Sequence, residues 1–288
     1  MNGTIQQTNE TILHKLSIYL NETPNAVTAD MMKHFMQETG MSEHDAYRYL
    51  LAAELDIDIE KSRHWFEKDF SRMISCLDAD AYNSNPYRQN IHLDSRNYGK
   101  WQLKKETLQP YEAFVFDDFK YGTDGTLYPQ IGCFSVPFVF DAVLQNDREW
   151  MSITPNEINT MRSVIEEASG NVLTYGLGLG YFAYMCSIKP EVASVTVVEK
   201  DPSVIALFQK EILPQFKQKD KIRVIKADAF EYAAAVKEEY DLTFADLWHD
   251  VQDGIPCYTE LKKIERGKTR YWIEKTMQYY MKEQNELK

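Results

Sequence analysis

Residues 172–185 read VLTYGLGLGYFAYM, an apolar run interrupted by glycines at 176, 178 and 180. The residues before Gly176 suit a buried strand, and FAYMCSI (182–188) suits a helix. Glycines between two such elements permit positive φ and leave no Cβ in the way of an approaching group. Taken alone, the stretch is either a loop shaped around a ligand or a tight strand-to-helix turn. It does not match the dinucleotide pattern GxGxxG, because the third glycine comes one residue early and Tyr181 stands in its place.

Downstream, the same alternation repeats. SVTVVE (194–199) reads as a second strand, followed by a helix that Pro202 can start and that runs to about Leu213. KIRVIKA (221–227) is a third strand with AFEYAAAVKEE as its helix, and DLTFADLW (241–248) is a fourth. Upstream, TPNE (154–157) opens a helix, with Thr154 at the N-cap, Pro155 at the first helical position and Glu157 at the capping-box position. Strand–helix alternation of this kind predicts an α/β, Rossmann-like, doubly wound, mostly parallel sheet. Only helices are expected after Trp248, so the sheet should be shortened on its C-terminal side.

The front of the chain differs. Residues 8 to about 76 carry helical periodicity, with Ser42 and Asp45 as a capping start and KSRHWFEKDFSRMIS (61–75) as a further helix. FVFDDF (114–119), YGTDGTLYP and CFSVPFVFDAVL (133–144) read as β-hairpins, and EWMSI (149–153) as another strand. The expected organisation is an N-terminal helical domain over 1–108, a β-hairpin connector over 109–153 and the Rossmann-like domain over 154–288.

The chain of 288 residues has a net charge of −12, and residues 1–150 hold 14 Lys and Arg against 23 Asp and Glu. An acidic surface repels phosphate backbones, so no nucleic-acid partner is expected, and the helix pair near Gly40 offers no basic recognition face. A small-molecule substrate suits the balance better. The four cysteines, Cys76, Cys133, Cys186 and Cys257, form no metal-ligand spacing, so the expectation is reduced thiols and no metal. No leader and no apolar run of membrane-spanning length is read, which predicts a cytoplasmic protein with no membrane partner.

In open parallel sheets the ligand lies beyond the carboxyl ends of the strands. Gly176, Gly178 and Gly180 follow the first strand, Glu199 closes the second, Asp228 closes the third, and Asp246 lies late in the fourth. A carboxylate after the second strand can accept both hydroxyls of a ribose, and one after the third can accept an adenine amino group. The helix beginning near Tyr181 would offer free N–H groups to an anionic end.

VLTYGLGLGYFAYM, VTVVEKDPSVI, KIRVIKADAFEYA and YDLTFADLW together resemble successive motifs of class I S-adenosylmethionine-dependent methyltransferases. They are most similar to the spermidine-synthase-like branch, over about residues 150–260. The resemblance implies that Gly176, Gly178 and Gly180 hold the aminocarboxypropyl end of S-adenosylmethionine, with Tyr175 also among the cofactor-binding residues. It places Glu199 on the ribose, Asp228 and the Ala229 backbone on the adenine, and Asp246 near the reacting sulfonium. Many members carry an acidic residue two positions before the first glycine, where this chain has Thr174. The aminopropyltransferase signature after the fourth strand is not matched by DLWHDVQDGIPCY, and the fifth strand and later hairpin have no counterpart in the reading.

The expected catalytic groups are Asp246, His249 and Asp250, with His249 as a base between two carboxylates. The implied function is methyl transfer to a small molecule. The alternatives are a non-catalytic binding or assembly protein that keeps the fold, and a polyamine aminopropyltransferase. With the sheet ending at the fourth strand, Leu242, Phe244 and Leu247 would lie on an open edge, to be covered by the hairpins, the C-terminal helix or a second copy in a homodimer.

Overall fold

The structure, a computed structural model, describes residues 3–145 and 148–286. The chain divides into two units, each assembled from two stretches: 1–82 with 107–139, and 83–106 with 140–288. The expected breaks near 108 and 153 fall inside this interleaving.

In the first unit, three helices run over Gly3–Glu22, Ala29–Thr39 and Glu43–Glu54. Thr28 and Ser42 cap the second and third by accepting the Met31 and Asp45 N–H groups, and Gly40 ends the second at φ 68°. Leu16, Met32, Tyr47 and Leu51 bury one side of them against Phe66 and Phe70. The helix expected over 61–75 is shorter than its periodicity suggested. It spans Arg63–Lys68, and Ile74–Leu77 is a strand pairing in parallel with Leu127–Phe134. The latter strand is buried along its whole length and pairs on its other side with Phe114–Tyr121, so a partner strand is worth more there than another helical turn. The opposed Cys76 and Cys133 sulfurs lie 3.8 Å apart as free thiols.

The second unit carries the predicted alternation. Its elements are α1 (Pro155–Glu167), β1 (Gly170–Tyr175), α2 (Tyr181–Ser187), β2 (Val192–Glu199), α3 (Pro202–Leu207), β3 (Ile222–Lys226), α4 (Ala229–Ala235), β4 (Leu242–Ala245), α5 (Val251–Ile264), β5 (Thr269–Tyr271) and α6 (Glu274–Glu286). All strand pairs in this sheet are parallel, in the order β3-β2-β1-β4-β5. The order reverses between β1 and β4, the switch point at which such sheets open a crevice. Val172, Val195, Val197 and Phe244 are each at most 1% exposed, which places the core along the middle of the sheet.

The short strand β5 corrects the expectation that β4 is an edge and that only helices follow Trp248. Thr269, Arg270 and Tyr271 pair with Thr243, Phe244 and Ala245. Arg270 holds this strand to the end of α1 through a two-point contact with Glu167, at 2.9 and 2.8 Å. Three residues with the charged Arg270 at their centre and Lys268 just before them make a poor template for further pairing. Among the described residues no helix is long and apolar enough to cross a membrane.

A further sheet has the order Arg96–Tyr98, Trp101–Leu108, Phe138–Gln145, Arg148–Ser152, with its first two strands and its last two strands paired antiparallel. The stretch 83–106 grips the parallel layer directly. The Tyr87 hydroxyl donates to the Leu179 carbonyl at 2.5 Å, Trp101 Nε1 donates to Ser203 at 3.3 Å, and Lys100 pairs with Asp201 at 2.5 Å.

Candidate functional site

A cavity of about 500 Å³ opens where the carboxyl ends of β1, β2, β3 and β4 meet. It falls within the range of small-molecule sites. Gly176, Gly178, Glu199, Asp228, Ala229, Asp246, His249 and Asp250 all line it, so one wall gathers most residues named from the sequence. Gly180 and Tyr175 are not among its lining. Tyr175 points to the opposite face of the sheet, where it borders a second cavity of about 360 Å³ with Tyr240, Leu261 and Tyr271.

The three glycines have different reasons to be glycine. A Cβ on Gly176 would stand 1.9 Å from the Asp246 carbonyl oxygen, a backbone atom that cannot step aside, and φ there is +94°. A Cβ on Gly180 would meet the Phe208 ring at 2.5 Å. Gly178, at φ +52°, has no heavy atom within 4 Å of that position. Two of the glycines therefore serve the turn and its packing. Only Gly178 leaves its Cβ position open, and it does so in the cavity wall.

The carboxylates also hold the local backbone. Glu199 accepts the Leu177 N–H at 3.2 Å through one oxygen and the Asp201 N–H at 2.8 Å through the other, which fixes the glycine loop to the end of β2. Asp228 caps α4 by accepting the Phe230 N–H at 2.9 Å and the Glu231 N–H at 3.3 Å through Oδ1, leaving Oδ2 without a bond among the described residues. Asp201, cap of α3, is partly buried, yet hydrogen bonds from Lys100 and Ser203 hold its carboxyl down at about 2.

After β4 the sequence reading and the structure diverge in emphasis. Asp250 is the N-cap of α5 and exchanges a full capping box with Asp253. The helix begins at Val251, directly after this cap, and continues through Gly254 and Pro256. The His249 ring lies edge-on to Trp150, centroids 4.0 Å apart, with Nδ1 3.6 Å from Asp253 and Nε2 buried without a partner. The Trp248 Nε1 is likewise buried and unpartnered, on a side chain 5% exposed. Asp246 is not a cap. Its side chain makes no hydrogen bond among the described residues, and burial pushes its carboxyl up to about 7.

Glu157 is the residue that sequence reading assigned to a different task. Thr154 accepts the Glu157 N–H at 3.4 Å as expected, but no return bond from the Glu157 carboxylate closes a box. That carboxylate lines the cavity instead, and burial followed by the nearby charges of Asp246 and Glu149 drives its pKa well upward. A Glu at the third helical position looks the same in sequence whether it turns back to the cap or out to a cavity. The absent acid at Thr174, itself 2% exposed in the cavity wall, was the available signal.

No protein-family model and no curated protein matches the chain. Among solved structures, it is similar to a spermidine synthase from Thermotoga maritima, at 16% identity over 46% of this chain and 53% of that one, with a TM-score of 0.32. A precorrin-8W decarboxylase from Methanobacterium thermoautotrophicum aligns at 15% identity over 41% and 63%, with a TM-score of 0.32. A methyltransferase from Podospora anserina bound to S-adenosylhomocysteine aligns at 17% identity over 36% and 44%, with a TM-score of 0.30. The chain thus spans less than two thirds of the length of each.

Proposed function

We propose that the cavity binds S-adenosylmethionine and that the protein transfers its methyl group to a small molecule. The observation that carries this reading is the charge of the wall at the switch point. Seven acidic residues line it against one lysine, Lys200, and one histidine. A dinucleotide diphosphate would meet repulsion there, whereas a sulfonium cation is attracted. The residues present fit such a ligand in other respects. Gly178 leaves backbone open to close approach, Glu199 and Asp228 retain acceptor capacity for ribose and adenine, and Trp248 and His249 offer unsatisfied ring nitrogens.

When bound, S-adenosylmethionine supplies a methyl group activated by positive sulfur. The chain's own residues would then position, desolvate and move protons. Glu199 fixes the loop through Leu177 and accepts from the ligand's hydroxyls with its remaining lone pairs. Asp246, with a pKa near neutrality, is able to take a proton from an acceptor O–H or N–H at its free carboxylate. His249 and Asp250 serve better as a wall and a helix cap than as that base.

Calorimetry of the full chain with S-adenosylmethionine and S-adenosylhomocysteine tests the reading, with micromolar binding of both expected. Absence of heat with either overturns it. Binding without transfer to a panel of amines, phenols and carboxylates would favour the non-catalytic alternative. Preference for decarboxylated S-adenosylmethionine would favour aminopropyl transfer.

A further inference from the structure

Glu157 and Asp246 reach one cavity from different elements, the first turn of α1 and the end of β4. Neither carboxylate makes a hydrogen bond or an ion pair among the described residues, and after burial the nearby Asp246 charge adds to the cost of ionising Glu157. Helix capping does not explain Glu157, and strand pairing does not explain the Asp246 side chain. In the same wall the Trp248 indole, 95% removed from solvent, keeps its Nε1 unpartnered. The other charged groups of the lining are mostly of the pair's own sign: Glu149 from the strand Arg148–Ser152, Asp250 beyond β4, and Glu199, Asp201 and Asp228 after β2 and β3, with His249 and Lys200 as the counterweights. Such a pair is unfavourable empty and is relieved by a cation that carries its own hydrogen-bond donors.

We infer that Glu157 and Asp246 form a subsite for an organic ammonium group. An alkylammonium has two or three N–H donors and a compact charge, so it can bridge two carboxylates that have no other partner. Two sources share this chemistry: the α-ammonium of the nucleoside ligand and the ammonium of an amine acceptor. The first would make Glu157 the substitute for the acidic residue absent at Thr174; the second would set the substrate class. The inference rests on the proposed ligand only for the first source.

Three probes separate the cases, each titrated into the full chain and into Glu157→Gln. S-adenosylhomocysteine carries the α-ammonium, 5′-methylthioadenosine lacks it, and butylamine carries an ammonium alone. If the ligand's own amino group is held, Glu157→Gln weakens S-adenosylhomocysteine at least about tenfold and leaves 5′-methylthioadenosine unchanged. If an acceptor is held, butylamine loses affinity and S-adenosylhomocysteine does not. Equal affinities of both proteins for all three probes overturn the inference, as does a wild-type chain that binds none of them. Failure of the nucleoside probes with retained, Glu157-dependent butylamine binding removes the proposed ligand and leaves the subsite. Should the variant not fold, calorimetry of the wild type in buffers of different ionisation enthalpy gives an independent answer. Net proton release on binding an ammonium probe at neutral pH is expected, because the cation favours the ionised form of carboxyls that burial keeps protonated, and none overturns the inference.

Discussion

Glycine-rich turns are read as ligand loops more readily than their atoms warrant, and here the three positions separate. Gly176→Ala forces a Cβ into the Asp246 carbonyl and should prevent stable folding, whereas Gly178→Ala meets no atom and costs only its left-handed backbone, about 1–2 kcal/mol. Urea denaturation of both variants, followed by calorimetry on the folded one, checks this. Gly178→Ala should fold and bind S-adenosylhomocysteine more weakly, and unchanged binding would remove the open glycine from the site. Asp246 permits a prediction with a definite sign. Its carboxyl titrates near 7 folded and near 4 unfolded, so ionisation costs the folded state stability that begins to fall above pH 4 and stops falling above pH 7. Asp246→Asn removes that penalty. Its denaturation midpoint should lie near the wild type at pH 4 and above it at pH 8, by at most about 4 kcal/mol in free energy. A variant less stable than wild type at pH 8 would show that the charged form is held by contacts of its own.

At the scale of elements, the alternation from β1 to β4 was legible because each strand is a short, mostly apolar run that leads into a glycine or a carboxylate. What sequence hid were elements whose local signal is weak and whose partner is distant. β5 has three residues, and only pairing with Thr243–Ala245 and the Glu167–Arg270 contact make TRY a strand rather than the start of α6. Ile74–Leu77 was hidden likewise, as the tail of a helical period taken over by a buried strand. The start of α5 was missed for the opposite reason, since Gly254 and Pro256 look like breakers. Gly254 is there because the Trp248 ring would lie 2.9 Å from its Cβ. The Asp250 cap separates structural from catalytic roles. Asp250→Ala should cost about 1 kcal/mol of stability, and Asp250→Asn, which keeps a cap acceptor, should restore most of it. Both are measured by thermal denaturation alongside S-adenosylhomocysteine binding. Loss of methyl transfer in the stable Asn variant would return Asp250 to the catalytic set.

Across the whole molecule, most residues named from the sequence line one cavity, whereas the stretches that complete its unit carry no local signal. Composition changes near 108 and 153 follow secondary structure, whereas compactness follows long-range contacts such as those of Tyr87, Trp101 and Lys100, which no local pattern announces. Residues 83–106 group with 140–288 and bond to the parallel layer at the buried Leu179 carbonyl, the part-buried Ser203 hydroxyl and the more exposed Asp201 carboxylate. Tyr87 is the strongest of these links. It is 1% exposed, packs edge-on against Tyr181 and Tyr184, and spends its hydroxyl on the Leu179 carbonyl in the glycine loop. Tyr87→Phe keeps the ring and removes the bond, so about 1–2 kcal/mol of stability should go, with weaker S-adenosylhomocysteine binding because the loop loses its fixed carbonyl. A fragment of residues 154–288 removes the ring as well and strips the face on which α2 and α3 rest. It should show no cooperative urea transition and no near-ultraviolet circular dichroism of packed tyrosines, while the full chain shows both. A cooperative transition in the fragment would mean that the parallel layer is self-sufficient, and that the stretch 83–106 only decorates it.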